Sequence, residues 1–384
     1  MNLAEYAGLD GLGLAALVRA GDISPRELAL TALRAIEAAN PSVQAVMETY
    51  ADSTEGLDDA TLGHGPFRGV PFLIKDIGFH FAGRKSEFGS RLCRGLVVAA
   101  DDYYGRLVKA SGVNPIGRSN TPEFSMALCA ENLLFGNSSN PWRQGYSTSG
   151  STGGGAAAVA AGMVPIAHGS DMGGSIRGPA AWCGTVGLYP SRGRVSSGPL
   201  DDEGGNGMTQ RFVMTRTMRD TAVMLDCLGV PQPGDPFVIH RPPRPFADYL
   251  TLPAGPLRIA YSAAPLMDAA VDPEVAAAVR ATAEALGAMG HILTEAAPPV
   301  DLALIDRACK DVWYFGFDKY LDGLGRRVGR TVGPDTVERA TLAFYEFARR
   351  QSCARYVAGL DDFNQVRRAV GDFFTRFDIW LSPT

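Results

Sequence analysis

The chain has 384 residues, of which 46% are hydrophobic and 20% charged, with 45 Gly and 25 Pro. This is enough apolar content for a packed core and too much for global disorder, and the Gly and Pro carry no collagen-like period. A net charge of −5 argues against a nucleic-acid-binding protein, which is ordinarily basic. The first element expected is a helix over residues 24–39. Ser24 caps it, Pro25 sits in its first turn, Glu27 completes a capping box, and Asn40-Pro41 ends it. Leu28, Ala32, Leu33 and Ile36 give it an apolar stripe. Val70–Ile74 reads as a short buried strand, with Lys75-Asp76 at its end. Residues 101–112 look helical and 113–117 strand-like. An Ala-rich helix (155–163) and a strand (164–169) follow a Gly/Ser-dense stretch, and Gly173-Gly174 precedes another short helix. A helix near 217–228 leads into a Pro-rich connection (230–256), a strand (257–262) and a helix (272–289). Residues 301–376 are largely helical, and 377–381 form a last strand before Ser-Pro-Thr. Strands alternating with helices imply an α/β fold with helices on both faces of a sheet.

Six cysteines (Cys93, Cys129, Cys183, Cys227, Cys309 and Cys353) are widely spaced and form no CxxC pair or dense disulfide framework. The N-terminus has no basic region followed by an apolar one, so no signal peptide is visible. The longest apolar run, 156–167, is built mostly of small side chains and is interrupted by Gly162 and Pro165, whereas a membrane span needs about 20 residues. These features imply a soluble, cytoplasmic protein with no membrane partner. Basic residues are nearly all Arg; the lysines are Lys75, Lys85, Lys109, Lys310 and Lys319. A lysine can give up its proton when buried, and an arginine cannot.

Several motifs lead nowhere. Gly11-Leu-Gly13 lacks a preceding strand and a third Gly, and reads as a helix entry. There is no GxxxxGK[ST], no HExxH and no GxSxG. The five histidines (His64, His80, His168, His240 and His291) are scattered, so a metal site is not expected. His168 reads as a core residue or one that supports a site from behind.

The informative stretch is Tyr146–Pro179. It holds two Gly-rich turns, one presenting Ser151 and the other Ser175, with one helix and one strand between them. Gly-rich turns leave successive backbone N–H groups unobstructed, and aimed at one point these make an anion nest. Beside a serine hydroxyl, such a nest suits a tetrahedral oxyanion. On spacing alone, a phosphate cradle fits equally well.

These residues resemble the amidase signature family of serine hydrolases. The matching motifs are Ser149-Gly-Ser-Thr-Gly-Gly154, Asp171-Met-Gly-Gly-Ser-Ile-Arg-Gly-Pro-Ala180 and Cys183-Gly-Thr-Val-Gly187. Upstream, Gly69-Val-Pro-Phe-Leu-Ile-Lys-Asp76, Gly117-Arg-Ser-Asn-Thr-Pro-Glu-Phe124 and Asn140-Pro-Trp142 match as well, so that the resemblance runs from about residue 10 to 384. It implies a central mixed β-sheet covered by helices on both faces, in a single domain over 1–384. The core motif region would lie at about 65–220, with a more helical, variable region at about 263–376. Family members usually continue past the Ser-Pro-Thr strand with further strands and a pocket wall; against that pattern the C-terminal part of the family fold is missing here, as in a fragment or in an unusually short member.

The resemblance makes Ser175 the nucleophile, Ser151 the bridging serine after a cis Gly150–Ser151 bond, and Lys75 the base. A serine hydroxyl is a weak nucleophile until a base takes its proton, and a desolvated lysine amine can be that base. The oxyanion hole would be the backbone N–H groups of Met172, Gly173, Gly174 and Ser175. Gly150, Asp171 and Arg177 would support the turns, the last two as a pair. Ser125, Met126 and Leu128 fall where family members line the acyl pocket. Ser149, Thr152, Met172 and Tyr189 depart from the usual Gly, Ser, Thr or Ile, and Lys, but no catalytic group is lost.

The implied reaction is hydrolysis of a carboxamide, or of a related carbamate or ester, through an acyl-enzyme and without metal or cofactor. Residues 65–76 and 192–199 resemble members that cut 6-aminohexanoate oligomers and urethanes. The expected partner is a small amide or carbamate substrate, with a homodimer as the assembly to test. Two rivals stand: the glutaminase subunit of a tRNA-dependent amidotransferase, and a non-catalytic binding module for an anion or small molecule.

Overall fold

The computed structural model describes residues 1–384 except 79, 202, 203, 265, 267 and 268. In chain order the helices are α1 (Leu3–Gly8), α2 (Gly11–Ala20), α3 (Pro25–Val43), α4 (Tyr103–Ala110), α5 (Gly153–Ala160), α6 (Arg177–Cys183), α7 (Met218–Leu228), α8 (Pro273–Ala288), α9 (Leu302–Val312), α10 (Phe317–Val328), α11 (Arg339–Ala348) and α12 (Cys353–Arg376). The strands are β1 (Val46–Thr49), β2 (Pro71–Lys75), β3 (Asn114–Ser119), β4 (Glu131–Asn132), β5 (Gly136–Asn137), β6 (Ile166–Asp171), β7 (Val186–Gly187), β8 (Gln210–Thr215), β9 (Arg258–Tyr261), β10 (Ile292–Glu295) and β11 (Ile379–Leu381).

Two compact units divide the described residues. The first is Met1–Thr251 with Leu321–Leu342, and the second is Leu252–Tyr320 with Ala343–Thr384. The first holds a six-stranded mixed sheet, in the order β1-β3-β2-β6-β8-β7, flanked by helices. Its centre (β3, β2, β6) is parallel and both sides are antiparallel. β2, β6 and β8 are buried along their whole length, which explains why β2 reads as a continuous apolar run rather than an alternating one. Each fully buried Phe or Leu on this sheet, such as Phe72, Leu73 or Phe212, contributes about 2 kcal/mol. α5 is small and apolar all round because it is buried all round, with Gly153 to Val159 inaccessible.

The second unit is built on a parallel three-stranded sheet, β10-β9-β11. Here α12 packs along α9, tied by the Arg355–Asp311 ion pair at 2.6 Å. No helix among the described residues is long and apolar enough to cross a membrane.

The capping box expected at Ser24 and Glu27 is formed, and Pro25 opens α3. The expected end at Asn40-Pro41 is not the end. α3 continues through Pro41 to Val43, because the Asn40 side chain organises the exit by bonding the Ala45 and Val46 amides and the Val46 carbonyl. β1, β4, β5, β7, β8 and β10 have no counterpart among the strands expected from the sequence. Gly11-Leu-Gly13 is a helix entry: Asp10 caps the Gly13 amide, and Asp220 accepts from Gly11 and Leu12.

Candidate active site

Adjacent parallel strands end on the same edge of a sheet, and that edge is where α/β folds place ligands. Lys75 is the last residue of β2; Ser170 and Asp171 are the last two of β6, beside it. The Lys75 side chain is wholly buried. Its amine lies 2.7 Å from Ser151 Oγ, 2.9 Å from Ser170 Oγ and 3.1 Å from Thr152 Oγ1. Burial pushes the amine down to about 7 from an ordinary 10.5, and the charge of Asp171 pulls the other way. Much of the amine is therefore neutral at physiological pH, with a lone pair to accept a proton.

Behind Lys75, the next residue anchors the strand end. Asp76 accepts from the Glu87 and Gly89 amides at 2.7 and 2.8 Å, and from Arg118 Nη1 at 2.6 Å. Arg118 is itself buried, and also meets Glu87 at 2.7 Å and Glu48 at 3.0 Å. The strand tip that carries the amine is thereby held from the opposite side.

The two serine turns meet directly. The Thr152 amide, one residue past Ser151, donates to the Ser175 carbonyl at 3.0 Å. The Gly150–Ser151 bond is cis. Gly150 lies so close to the loop at 127–129 that a Cβ there would stand 2.5 Å from the Cys129 nitrogen. Ser175 is 9% exposed, and its hydroxyl has no hydrogen-bond partner among the described residues. It follows Gly174, whose φ of +120° is a conformation that only glycine adopts readily.

One carboxylate organises the Ser175 turn. Asp171 Oδ1 accepts from the Gly174 amide at 2.8 Å and Arg177 Nη2 at 2.8 Å. Its Oδ2 accepts from the amides of Ile176 and Arg177 at 3.0 and 3.2 Å, and from Arg177 Nε at 3.0 Å. Burial alone would raise this carboxyl; the bonds from Arg177, Ile176 and Gly174 outweigh it and hold it below the usual range. The Arg177 guanidinium rests over the Tyr189 ring at 4.7 Å, and the Tyr189 hydroxyl donates to the Met208 carbonyl at 2.6 Å.

This geometry alters the expected oxyanion hole. The Gly174 N–H, one of four amides expected there, is instead spent on Asp171. The amides of Met172, Gly173 and Ser175 make no intrachain bond among the described residues.

The acyl-pocket candidates are less tightly placed. Ser125 and Met126 lie half-buried at the turn Glu123–Met126, and the Ser125 hydroxyl is 3.4 Å from that of Thr121. Neither bonds to Lys75, Ser151 or Ser175 among the described residues. Leu128 is 71% exposed, and its backbone abuts Gly150. His168 is fully buried on β6 with its ring 5.2 Å from that of Tyr104. Burial first, and then the charges of Lys75 and Arg211, hold its imidazole well below the usual 6.5, so that it stays neutral.

Sequence reasoning missed Thr152 and Ser170 as contacts of the amine. The available signal was that Thr152, although it departs from the family Ser, keeps the hydroxyl.

A model of the amidase family matches residues 27–384. The chain belongs to the amidase signature family. This amidase is 34% identical to the 6-aminohexanoate-cyclic-dimer hydrolase of Paenarthrobacter ureafaciens over 385 residues, covering 98% of this chain and 77% of that protein. It is 31% identical to the lipoamidase of Enterococcus faecalis over 392 residues, covering 99% of this chain and 50% of the relative. The solved structure of 6-aminohexanoate cyclic dimer hydrolase complexed with substrate superposes with a TM-score of 0.90 at 33% identity, covering 97% of this chain and 78% of that one. A bacterial aryl acylamidase of the amidase signature family superposes with a TM-score of 0.88 at 25% identity, over 98% and 79% of the two chains. The protein is a hydrolase of amide C–N bonds.

Proposed function

We propose that the amidase works through a Ser175–Ser151–Lys75 relay on linear or cyclic aliphatic amides of the 6-aminohexanoate type, with aryl amides and carbamates as further substrates. The observation that carries this is the buried, partly neutral Lys75 amine 2.7 Å from the Ser151 hydroxyl. The amine takes the Ser151 proton as Ser151 takes that of Ser175, and the freed oxygen attacks the amide carbonyl. The amides of Met172, Gly173 and Ser175 stabilise the resulting oxyanion. The relay then returns the proton to the departing nitrogen, the amine leaves, and water releases the acid from Ser175 by the same route in reverse. Asp171 and Arg177 hold the turn without joining the proton transfer. Leu128, Met126 and Ser125 offer the acyl chain an uncharged wall, which suits a neutral aliphatic acyl group. We take the substrate to be a small molecule and the setting to be the cytoplasm.

The test is the purified chain alone, assayed on 6-aminohexanoate cyclic dimer, an aryl anilide and an aryl carbamate. A fluorophosphonate probe maps the nucleophile on the same sample, and light scattering tests for the homodimer. Hydrolysis that disappears in Ser175→Ala, with probe label on Ser175, supports the proposal. A Ser175→Ala variant as fast as the parent overturns it, and turnover only with partner subunits and tRNA moves the reading to an amidotransferase glutaminase.

A further inference from the structure

Four oxygens surround the Lys75 amine: Ser151 Oγ at 2.7 Å, Ser170 Oγ at 2.9 Å, Thr152 Oγ1 at 3.1 Å and the Ser170 carbonyl at 3.4 Å. A neutral lysine amine has two N–H donors and one lone pair. It can act as a base only when that lone pair faces the hydroxyl to be deprotonated. Which oxygen faces the lone pair is decided by the protons on the others.

The Thr152 hydroxyl has a single proton and donates it to the Ser170 carbonyl, 3.2 Å away. Toward Lys75, Thr152 can only accept. The Ser170 carbonyl has no proton to give, so it too only accepts. The Ser151 hydroxyl is fully buried, and Lys75 is its one hydrogen-bond partner among the described residues. If the lone pair pointed anywhere else, that buried hydroxyl would lose its acceptor in the resting site. The β-branched Thr152 side chain is stiff about χ1, so its acceptor is fixed in direction.

We propose that Thr152 and Ser170 are positioning residues that take up both N–H bonds of the neutral Lys75 amine and thereby turn its lone pair to the Ser151 hydroxyl. The proposal rests on the Ser175–Ser151–Lys75 assignment made above. Protons balance without any further group: one moves from Ser175 Oγ to Ser151 Oγ, and the former Ser151 proton moves to Lys75 Nζ.

The role has a signature that packing alone would not give. An ammonium has three N–H donors, so each acceptor removed disfavours the charged form and shifts the acid limb of the rate profile to lower pH. Loss of packing lets water reach the amine and shifts that limb upward instead.

The experiment compares the full chain with Thr152→Val, Thr152→Ser, Ser170→Ala and Lys75→Met. Each is profiled against pH on an aliphatic p-nitroanilide, with folding checked by thermal melting. In Thr152→Val and Ser170→Ala, kcat falls about 10- to 100-fold on the plateau. KM stays within about twofold, because neither side chain meets substrate. The acid limb stays or moves down, and Thr152→Ser recovers most of the lost kcat. Parent-level plateaus in both hydroxyl-less variants overturn the proposal. So does an acid limb moved up with full kcat restored at high pH. Should Thr152→Val fail to fold, Ser170→Ala carries the same comparison. An active Lys75→Met variant overturns the relay assignment itself; an inactive one beside fully active Thr152→Val and Ser170→Ala overturns the positioning role alone.

Discussion

Replacing Lys75 by Met separates the thermodynamic cost of the base from its chemical use. Burial holds the amine at about 7 against an ordinary 10.5. Between those values the unfolded chain binds a proton that the folded chain does not, so this residue makes stability rise with pH across that window. The contribution is complete above the unfolded value and is lost as pH falls toward the folded one. Integrating between pH 7 and pH 9 gives a gain of about 2 kcal/mol. Methionine is similar in length and does not titrate. The difference in unfolding free energy between parent and Lys75→Met therefore grows by that amount over the interval, while every other titrating group cancels. Urea unfolding of both proteins at the two pH values measures it. The kinetic counterpart is an acid limb in kcat/KM of the parent centred near pH 7, with activity collapsing in the variant. A stability difference that stays flat between the two pH values would refute the reasoning, since the amine would then be hydrated and charged when folded. An acid limb absent from the parent would refute its use as a base.

Two further outcomes follow from the same geometry. Asp171→Asn places an amide nitrogen where five donors converge on one carboxylate. The protein should lose about 3 kcal/mol in denaturant unfolding. The acid limb should shift to lower pH, because the negative charge that favours the Lys75 ammonium is gone. Gly150→Ala pushes a Cβ to 2.5 Å from the Cys129 nitrogen and 2.7 Å from the Leu128 carbonyl carbon, both rigid backbone. It should lower stability by about 1–3 kcal/mol and displace Ser151 enough to cost about 100-fold in kcat, read by melting and steady-state kinetics.

The central strands were legible because of what they bury. β2 is apolar along its length and ends in a lysine, and no surface strand needs that combination. β8 was not legible for the opposite reason. It opens on Gln210 and Arg211, polar residues that suggest a surface, yet the whole strand is buried. Arg211 is tolerated there because Asp102, far away in sequence, meets its guanidinium at 2.9 Å, and Asp201, ten residues upstream, at 3.2 Å. A charge that is neutralised only by tertiary neighbours cannot be told from an exposed one by reading along the chain. The overrun of α3 past Pro41 has a local origin instead, since the Asn40 amide reaches forward to Ala45 and to Val46, which opens the next strand.

The site divides along the same line. Ser151 and Ser175 stand out from the sequence because each sits in a Gly-rich turn, and Lys75 because it ends an apolar strand. It is the resemblance to the amidase signature family, not the spacing, that gives the three their roles. Thr152 and Ser170 do not stand out, because a hydroxyl beside a turn is common and usually serves only as a cap. Ser170 reaches the amine through the register of two parallel strands, which brings the end of β6 beside the end of β2, and Thr152 reaches it from the turn that opens α5. The amide of Gly174 is the converse case. Its position in the glycine turn implies an oxyanion donor, but a carboxylate three residues earlier takes it first. Spacing identifies which groups can converge, and the competition between neighbouring acceptors decides which of them remain free to act.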